Sequence, residues 1–236
     1  MFRVKIQLMN TSNKLNKQQI QAINHDKGPL LIIAGAGTGK TTVITERIKY
    51  LITSGKAKPE EILALTFTEK AATEMEVRVD REMPLSYGDI FITTFHSFCD
   101  AILRESGLHI GLPTNFKLMT KEKSVDLFKR NLFNFSLNYF RPLGNPNKFI
   151  YSLLTHFSRL QDELITPTDY LSWVKSNFKN TSSRLAQEEK LEKQKWQELA
   201  TVYKEYEDLK LKETKFDFGD LVIKTVELFK KRPNIL

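Results

Sequence analysis

The stretch LLIIAGAGTGKTTVI at residues 30–44 constrains this chain more than any other. A short apolar run enters a glycine-rich turn, and Lys-Thr then opens a pattern of helical apolar spacing. Read as strand, loop and helix, this is the layout of a phosphate cradle, with Ala34 in place of the usual first glycine. Glycines let successive backbone N–H groups turn inward onto anionic oxygens, and the helix N-terminus adds its dipole. Gly35, Ala36, Gly37, Thr38 and Gly39 are therefore expected to wrap nucleotide phosphates. Lys40 is expected to reach the β- and γ-phosphates and the Thr41 hydroxyl to ligate Mg²⁺. A cradle alone does not choose between a kinase, a GTPase, a transporter ATPase and a helicase.

The chain has 236 residues, enough for one large domain or two small ones with a real core. Its formal charge of +8 leans towards a polyanionic partner. The excess is uneven, since residues 116–236 carry 22 basic against 16 acidic side chains. Cys99 is the single cysteine, so neither an internal disulfide nor a cysteine-rich metal site can form. A lone thiol suits a reducing compartment, and no apolar run approaches the length of a membrane span. The expectation is a cytoplasmic protein without a membrane partner. Residues 1–14 are polar and patternless and stand apart as a disordered or additional N-terminus.

From residue 15 the pattern alternates. LNKQQIQAINH reads as a short helix, 30–34 as a buried strand, and 39–53 as a helix with Val43, Ile44, Ile48 and Leu51 on its apolar face. Strands follow at 62–66 and 90–93, with helices from Thr68 to about Val79 and from Phe95 to about Arg104. Strands separated by helices imply a doubly wound parallel sheet, an α/β fold. Beyond Gly111-Leu112-Pro113 the character changes. Residues 120–212 are mostly helical in pattern, with breaks at 142–146 and at Thr166-Pro167. Leu185, Trp196, Leu199, Tyr203, Tyr206 and Leu209 form an aromatic stripe that reads as core. DFGDLVIKTVELFKK at 217–231 reads as one more amphipathic helix, with Asp217 and Asp220 as charges at its N-terminus.

Three stretches around the cradle narrow the choice: LNKQQIQAI before it, ILALTFTEKAATEM after it, and TTFHSFCDAILR beyond that. In this order and spacing they resemble the N-terminal part of superfamily 1 DNA helicases of the UvrD/Rep/PcrA type, and DFGDL resembles a later family element. The resemblance implies a RecA-like P-loop NTPase sheet with helices on both faces. That motor domain would comprise residues 15–110 and 213–236, interrupted by a mainly helical subdomain at 111–212. It implies ATP and Mg²⁺ as cofactors, with Gln19 reading the adenine edge through an amide that both donates and accepts. It also implies that Thr66, Phe67, Thr68, Thr94, Phe95 and His96 line a track for single-stranded DNA, where an aromatic ring can stack on any base. The basic helical insertion would be an arm for strand or duplex, or simply a solvated Lys/Glu surface.

Two departures stand out. Family members often carry Arg directly after the cradle threonine, packed on adenine; Thr42 stands there, so preference for ATP rests on Gln19. Glu69 occupies a position that is commonly Asn, and a carboxylate beside a DNA backbone must be turned away or paired. The resemblance further implies that hydrolysis needs an acidic pair at the end of a later buried strand, and arginines from a second motor domain. Neither is expected within these 236 residues; Asp162-Glu163 follows a helical pattern, not a strand. The sequence thus reads as the N-terminal part of a 3′–5′ DNA helicase, binding nucleotide and DNA without turning ATP over alone. Two alternatives stay open. One is the N-terminal part of a RecB-type helicase-nuclease, the other a non-catalytic DNA-binding module with a regulatory cradle.

Overall fold

A computed structural model of the chain describes residues 15–82, 90–177 and 187–235. They form two compact units, one ending at Phe95 and one beginning at His96.

In the first unit, α1 (Lys17–Ile23) precedes the glycine-rich loop and α2 (Lys40–Thr53) follows it. Strand β1 (Leu63–Thr66) then leads through α3 (Glu69–Glu82) to β2 (Phe91–Thr94). The strands pair in parallel, Leu63 opposite Phe91 and Thr66 opposite Thr94, with α3 as the crossover. Parallel neighbours need such a connection, because a tight turn cannot reverse the chain twice. The core gathers Ile48 and Ile52 of α2, Ala64 of β1 and Met75 and Val79 of α3, with Ile62, Ile90 and Ile92 against them. On α2 the buried apolar positions are Val43, Ile48 and Ile52, while Ile44 faces outward.

The strand expected at 30–34 is not formed. These residues take no regular structure and join no ladder among the described residues, and Leu31 and Ile33 are 84% and 91% exposed. A strand exists by pairing, and here the parallel sheet of this unit consists of β1 and β2.

The second unit is almost entirely helical: α4 (Phe95–Ser106, whose first residue closes the first unit), α5 (Lys121–Arg130), α6 (Ile150–Asp162), α7 (Pro167–Asn177), α8 (Gln187–Lys212) and α9 (Phe218–Lys231). A short parallel pairing joins β3 (Lys117–Leu118) to β4 (Lys215–Phe216). Pro167 opens α7 at a position where a missing N–H costs nothing. The aromatic stripe of α8 is core as expected: Tyr203 and Tyr206 are buried, with Trp196, Leu199 and Leu209 packed around them. Leu185 lies outside the described residues. Phe157 stacks on Tyr203 with ring centroids 5.0 Å apart, and Phe128 on Phe135 at 4.5 Å. Asp162 is the last residue of α6 and Glu163 caps it, so this acidic pair ends a helix and not a strand.

The charges at the start of α9 do more than meet a helix dipole. Asp217 and Asp220 form a reciprocal capping box. Both also bind Lys210, whose side chain is 1% exposed: Nζ lies 2.9 Å from Asp217, 2.7 Å from Asp220 and 2.8 Å from Glu207. Burial works against the ammonium, yet the three carboxylates outweigh it and hold Lys210 well above the usual lysine range. Gln161 Nε2 donates to Asp220 at 2.9 Å, tying α6 into the cluster. Gly219 makes this approach possible, because a Cβ there would collide with the Gln161 amide.

Removing the lysine would leave the buried Asp220 carboxylate without a cation, with Asp217 and Glu207 crowded beside it. We therefore expect Lys210→Met to destabilise the second unit by about 3–5 kcal/mol in urea unfolding. Lys204→Met, which breaks an exposed pair with Asp208, should cost less than about 1 kcal/mol.

Candidate nucleotide-binding site

The loop between residue 34 and α2 is built by backbone conformation. Gly37 and Gly39 hold φ of +74° and +87°, a region that L side chains rarely adopt. Gly39 is the N-cap of α2, and the first helical bond runs from Val43 N–H to Gly39 O at 2.9 Å. The N–H groups of Lys40, Thr41 and Thr42 therefore lie in the first turn, where a helix offers no internal acceptor. Their dipoles add up towards the loop, which is the arrangement that attracts an anion.

Side chains fix the loop from within. Thr38 Oγ1 donates to Gly35 O at 2.8 Å, closing the turn. Lys40 Nζ donates to Ala34 O at 3.0 Å and also to Gly35 O, so its ammonium sits at the base of the loop. An ammonium has three N–H donors, which leaves one to meet a further acceptor. The loop and Lys40 are exposed, whereas Thr41 and Thr42 are half-buried at the start of α2. The set fits a polyphosphate: backbone donors, one cation, and open space beside Gly37, where an added Cβ would meet no atom within 4 Å. Among the described residues no cluster of three His, Cys, Asp or Glu side chains could hold a metal.

Gln19 comes to this loop from α1. Its Nε2 donates to Thr38 O at 3.1 Å, and its Oε1 accepts from Asn16 N–H at 2.8 Å. Asn16 Oδ1 in turn accepts from Gln19 N–H, completing a capping box. The box has a local signature, Asn-x-x-Gln ahead of an apolar-periodic run, and so could have been found from the sequence. Arg47 of α2 was missed too. Its Nη1 donates to Ile23 O at 2.8 Å, His25 O at 2.7 Å and Ala22 O at 3.3 Å. No local pattern announces a contact between residues so far apart in the chain.

The residues expected to line a DNA track divide by environment. Thr66 and Thr94, at the ends of β1 and β2, are buried. Thr66 Oγ1 donates to Thr68 O at 3.1 Å, and Thr94 Oγ1 donates to Glu69 Oε1 at 3.1 Å. Glu69 is thus paired, as a carboxylate in that position requires. Phe67 is 90% exposed, and its ring lies 5.3 Å from that of the exposed Phe95. Thr68 is exposed and accepts from Ala71 N–H as α3 begins. In the second unit, His96 meets the ring of Phe218 edge-on at 5.2 Å.

Because Gly39 has both a left-handed backbone and Gln19 Nε2 only 3.1 Å from where a Cβ would lie, Gly39→Ala should act twice. We expect a local backbone cost of about 1–2 kcal/mol, read by thermal unfolding, and weaker Mg-ATP binding in calorimetry. Gly55→Ala, also left-handed but with nothing within 4 Å, should show only the stability cost.

Residues 15–236 match the UvrD/REP helicase N-terminal domain family. ATP-dependent DNA helicase PcrA of Staphylococcus aureus (strain Mu50 / ATCC 700699) is 37% identical over 228 residues, 95% of this chain and 28% of that protein. PcrA of Staphylococcus epidermidis (strain ATCC 12228 / FDA PCI 1200) is 38% identical over 226 residues, 94% of this chain and 27% of that protein. The chain thus spans little more than a quarter of the length of these curated relatives.

Proposed function

Because this chain belongs to the UvrD/REP helicase N-terminal domain family, we propose that it is the ATP- and DNA-gripping part of an ATP-dependent DNA helicase. The parent protein moves 3′ to 5′ on single-stranded DNA and opens partly duplex DNA in repair or recombination, in the cytoplasm. Its motor domain is RecA-like, residues 15–110 with 213–236, and 111–212 form a helical insertion. The observation that carries the nucleotide half is the loop turned by Gly37 and Gly39, with Lys40 at its base and the Gln19 amide against Thr38.

In this reading the backbone of Gly35, Ala36, Gly37, Thr38 and Gly39 holds the phosphates of ATP. Lys40 turns its remaining donor towards the β- and γ-oxygens, and the Thr41 hydroxyl ligates Mg²⁺. The metal neutralises phosphate charge when bound. Gln19 reads adenine, with Thr42 beside it where relatives often carry Arg. The exposed rings of Phe67 and Phe95 stack on bases of single-stranded DNA, and Thr68 offers a hydroxyl to its backbone. Thr66 and Thr94 hold the strand ends in place beneath them, and His96 opens the second unit with its ring on Phe218.

Hydrolysis asks for more than a grip. It needs a carboxylate at a strand end to hold Mg²⁺ and position water, and arginines across a closing cleft from a second motor domain. The residues described include the grip alone. We therefore expect the 236-residue chain to bind Mg-ATP without releasing phosphate, with or without single-stranded DNA. Lys40→Ala should weaken Mg-ATP by about ten- to a hundredfold, the scale of a charge-assisted hydrogen bond. Phosphate release by the chain alone, stimulated by DNA, or a silent Lys40→Ala, would contradict the reading.

The DNA half has its own test. Phe67→Ala should cost about 1–3 kcal/mol in affinity for a homopolymeric single strand, the value of one stacked base. Phe133→Ala, an exposed ring elsewhere in the chain, is the control and should change little.

A further inference from the structure

Helix α1 is seven residues long, too short to persist in water by its own hydrogen bonds. Its placement depends on what holds it. Ile23 is buried, Gln19 touches the loop at Thr38 O, and at the far end Arg47 gathers the carbonyls of Ala22, Ile23 and His25. Those are carbonyls at a helix C-terminus, where acceptors are unsatisfied and a cation is favoured. Arg47 belongs to α2, the helix that the glycine loop opens. The guanidinium therefore ties the end of α1 to the helix that the loop opens.

The amide of Gln19 is held in one orientation. Asn16 N–H can only donate, so it must face Oε1, and Thr38 O can only accept, so it must face Nε2. A primary amide has two acceptor sites on oxygen and two N–H donors. One of each is spent inside the protein, and one acceptor and one donor are left. Such a pair matches adenine, which offers an N6 donor beside the N7 acceptor. It mismatches guanine, which puts O6 where the donor should be. A tilt of α1 would carry this pair away from the loop without altering the loop's own glycines or Lys40.

We propose that Arg47 is a positioning residue for base recognition: by clamping the end of α1 it holds the Gln19 amide where it selects adenine over guanine. This rests on the reading of Gln19 as the adenine-contacting residue. A purely structural staple would affect every ligand of the loop alike. A positioning residue affects only those that carry a base.

The test is calorimetric binding of Mg-ATP, Mg-GTP and inorganic tripolyphosphate to the full chain and to Arg47→Met, Gln19→Ala and the double variant. Tripolyphosphate engages the loop but has no base for Gln19. Arg47→Met is expected to lower Mg-ATP affinity by about tenfold, the size of one or two net hydrogen bonds. It should bring the ATP and GTP affinities together and leave tripolyphosphate within about twofold. Gln19→Ala should do the same, and the double variant should add nothing, as for groups acting through one contact. Equal losses for ATP and tripolyphosphate, or additive losses in the double variant, would overturn the assignment of Arg47. An unchanged ATP-to-GTP ratio in Gln19→Ala would overturn the reading beneath it as well. Should Arg47→Met not fold, Arg47→Lys is read the same way. It keeps a cation at the end of α1 but lacks the fork, and is expected to show a smaller loss confined to ATP.

Discussion

The proposed nucleotide site depends on a turn that only glycine makes cheaply. With Gly37 and Gly39 at positive φ, the chain leaves an apolar run and enters α2 within a few residues. That reversal places Lys40 in the first helical turn and aims three N–H groups that the helix cannot satisfy. It also sets the phase of α2. From Gly39 onward Val43, Ile48 and Ile52 turn into the protein while Arg47 turns towards α1. The exposed loop and the buried core are consequences of one backbone geometry.

The second unit is held by different physics. Its aromatic core packs α5, α6, α7 and α8 together, and one buried lysine ties the end of α8 to the start of α9. Such a cluster gains little over a well-packed apolar core, since burying the charges costs nearly what their attraction returns. What it adds is direction. The Asp217–Asp220 capping box starts α9 at one residue, and Phe218, the next in the chain, is thereby presented to His96. A small local device sets the angle of a helix, and the helix sets where an exposed ring lies.

How much of this was legible in the sequence follows from the range of the interactions involved. Helices with strong periodicity were readable nearly to their ends. The helix expected from Phe95 runs to Ser106, and that expected at 217–231 begins at Phe218 with Asp217 as its cap. Strands at 62–66 and 90–93 came within a residue of Leu63–Thr66 and Phe91–Thr94. The strand expected at 30–34 did not form, because apolar content shows what a segment would bury and not whether a neighbour pairs with it. The glycine turn was legible because its signal is local, a few glycines ahead of Lys-Thr. Arg47 was not, because the carbonyls it holds belong to another helix. Lys210 was hidden in the same way: on a Lys/Glu-rich helix, sequence alone cannot tell which lysine turns inward to three carboxylates. Family membership adds what physics alone left open, that this cradle sits in the N-terminal domain of a UvrD/REP helicase.

The central claim is that the amides between residue 35 and residue 42 close around the phosphates of ATP. Amide hydrogen exchange on the full chain, with and without saturating Mg-ATP, tests it most directly. The account predicts slowed exchange across Gly35–Thr42 and in α1 around Gln19, because those N–H groups and that helix become fixed by the ligand. Tripolyphosphate should protect the loop but not α1. Exchange in the loop that is unchanged by Mg-ATP, or protection confined to the second unit, would contradict the account.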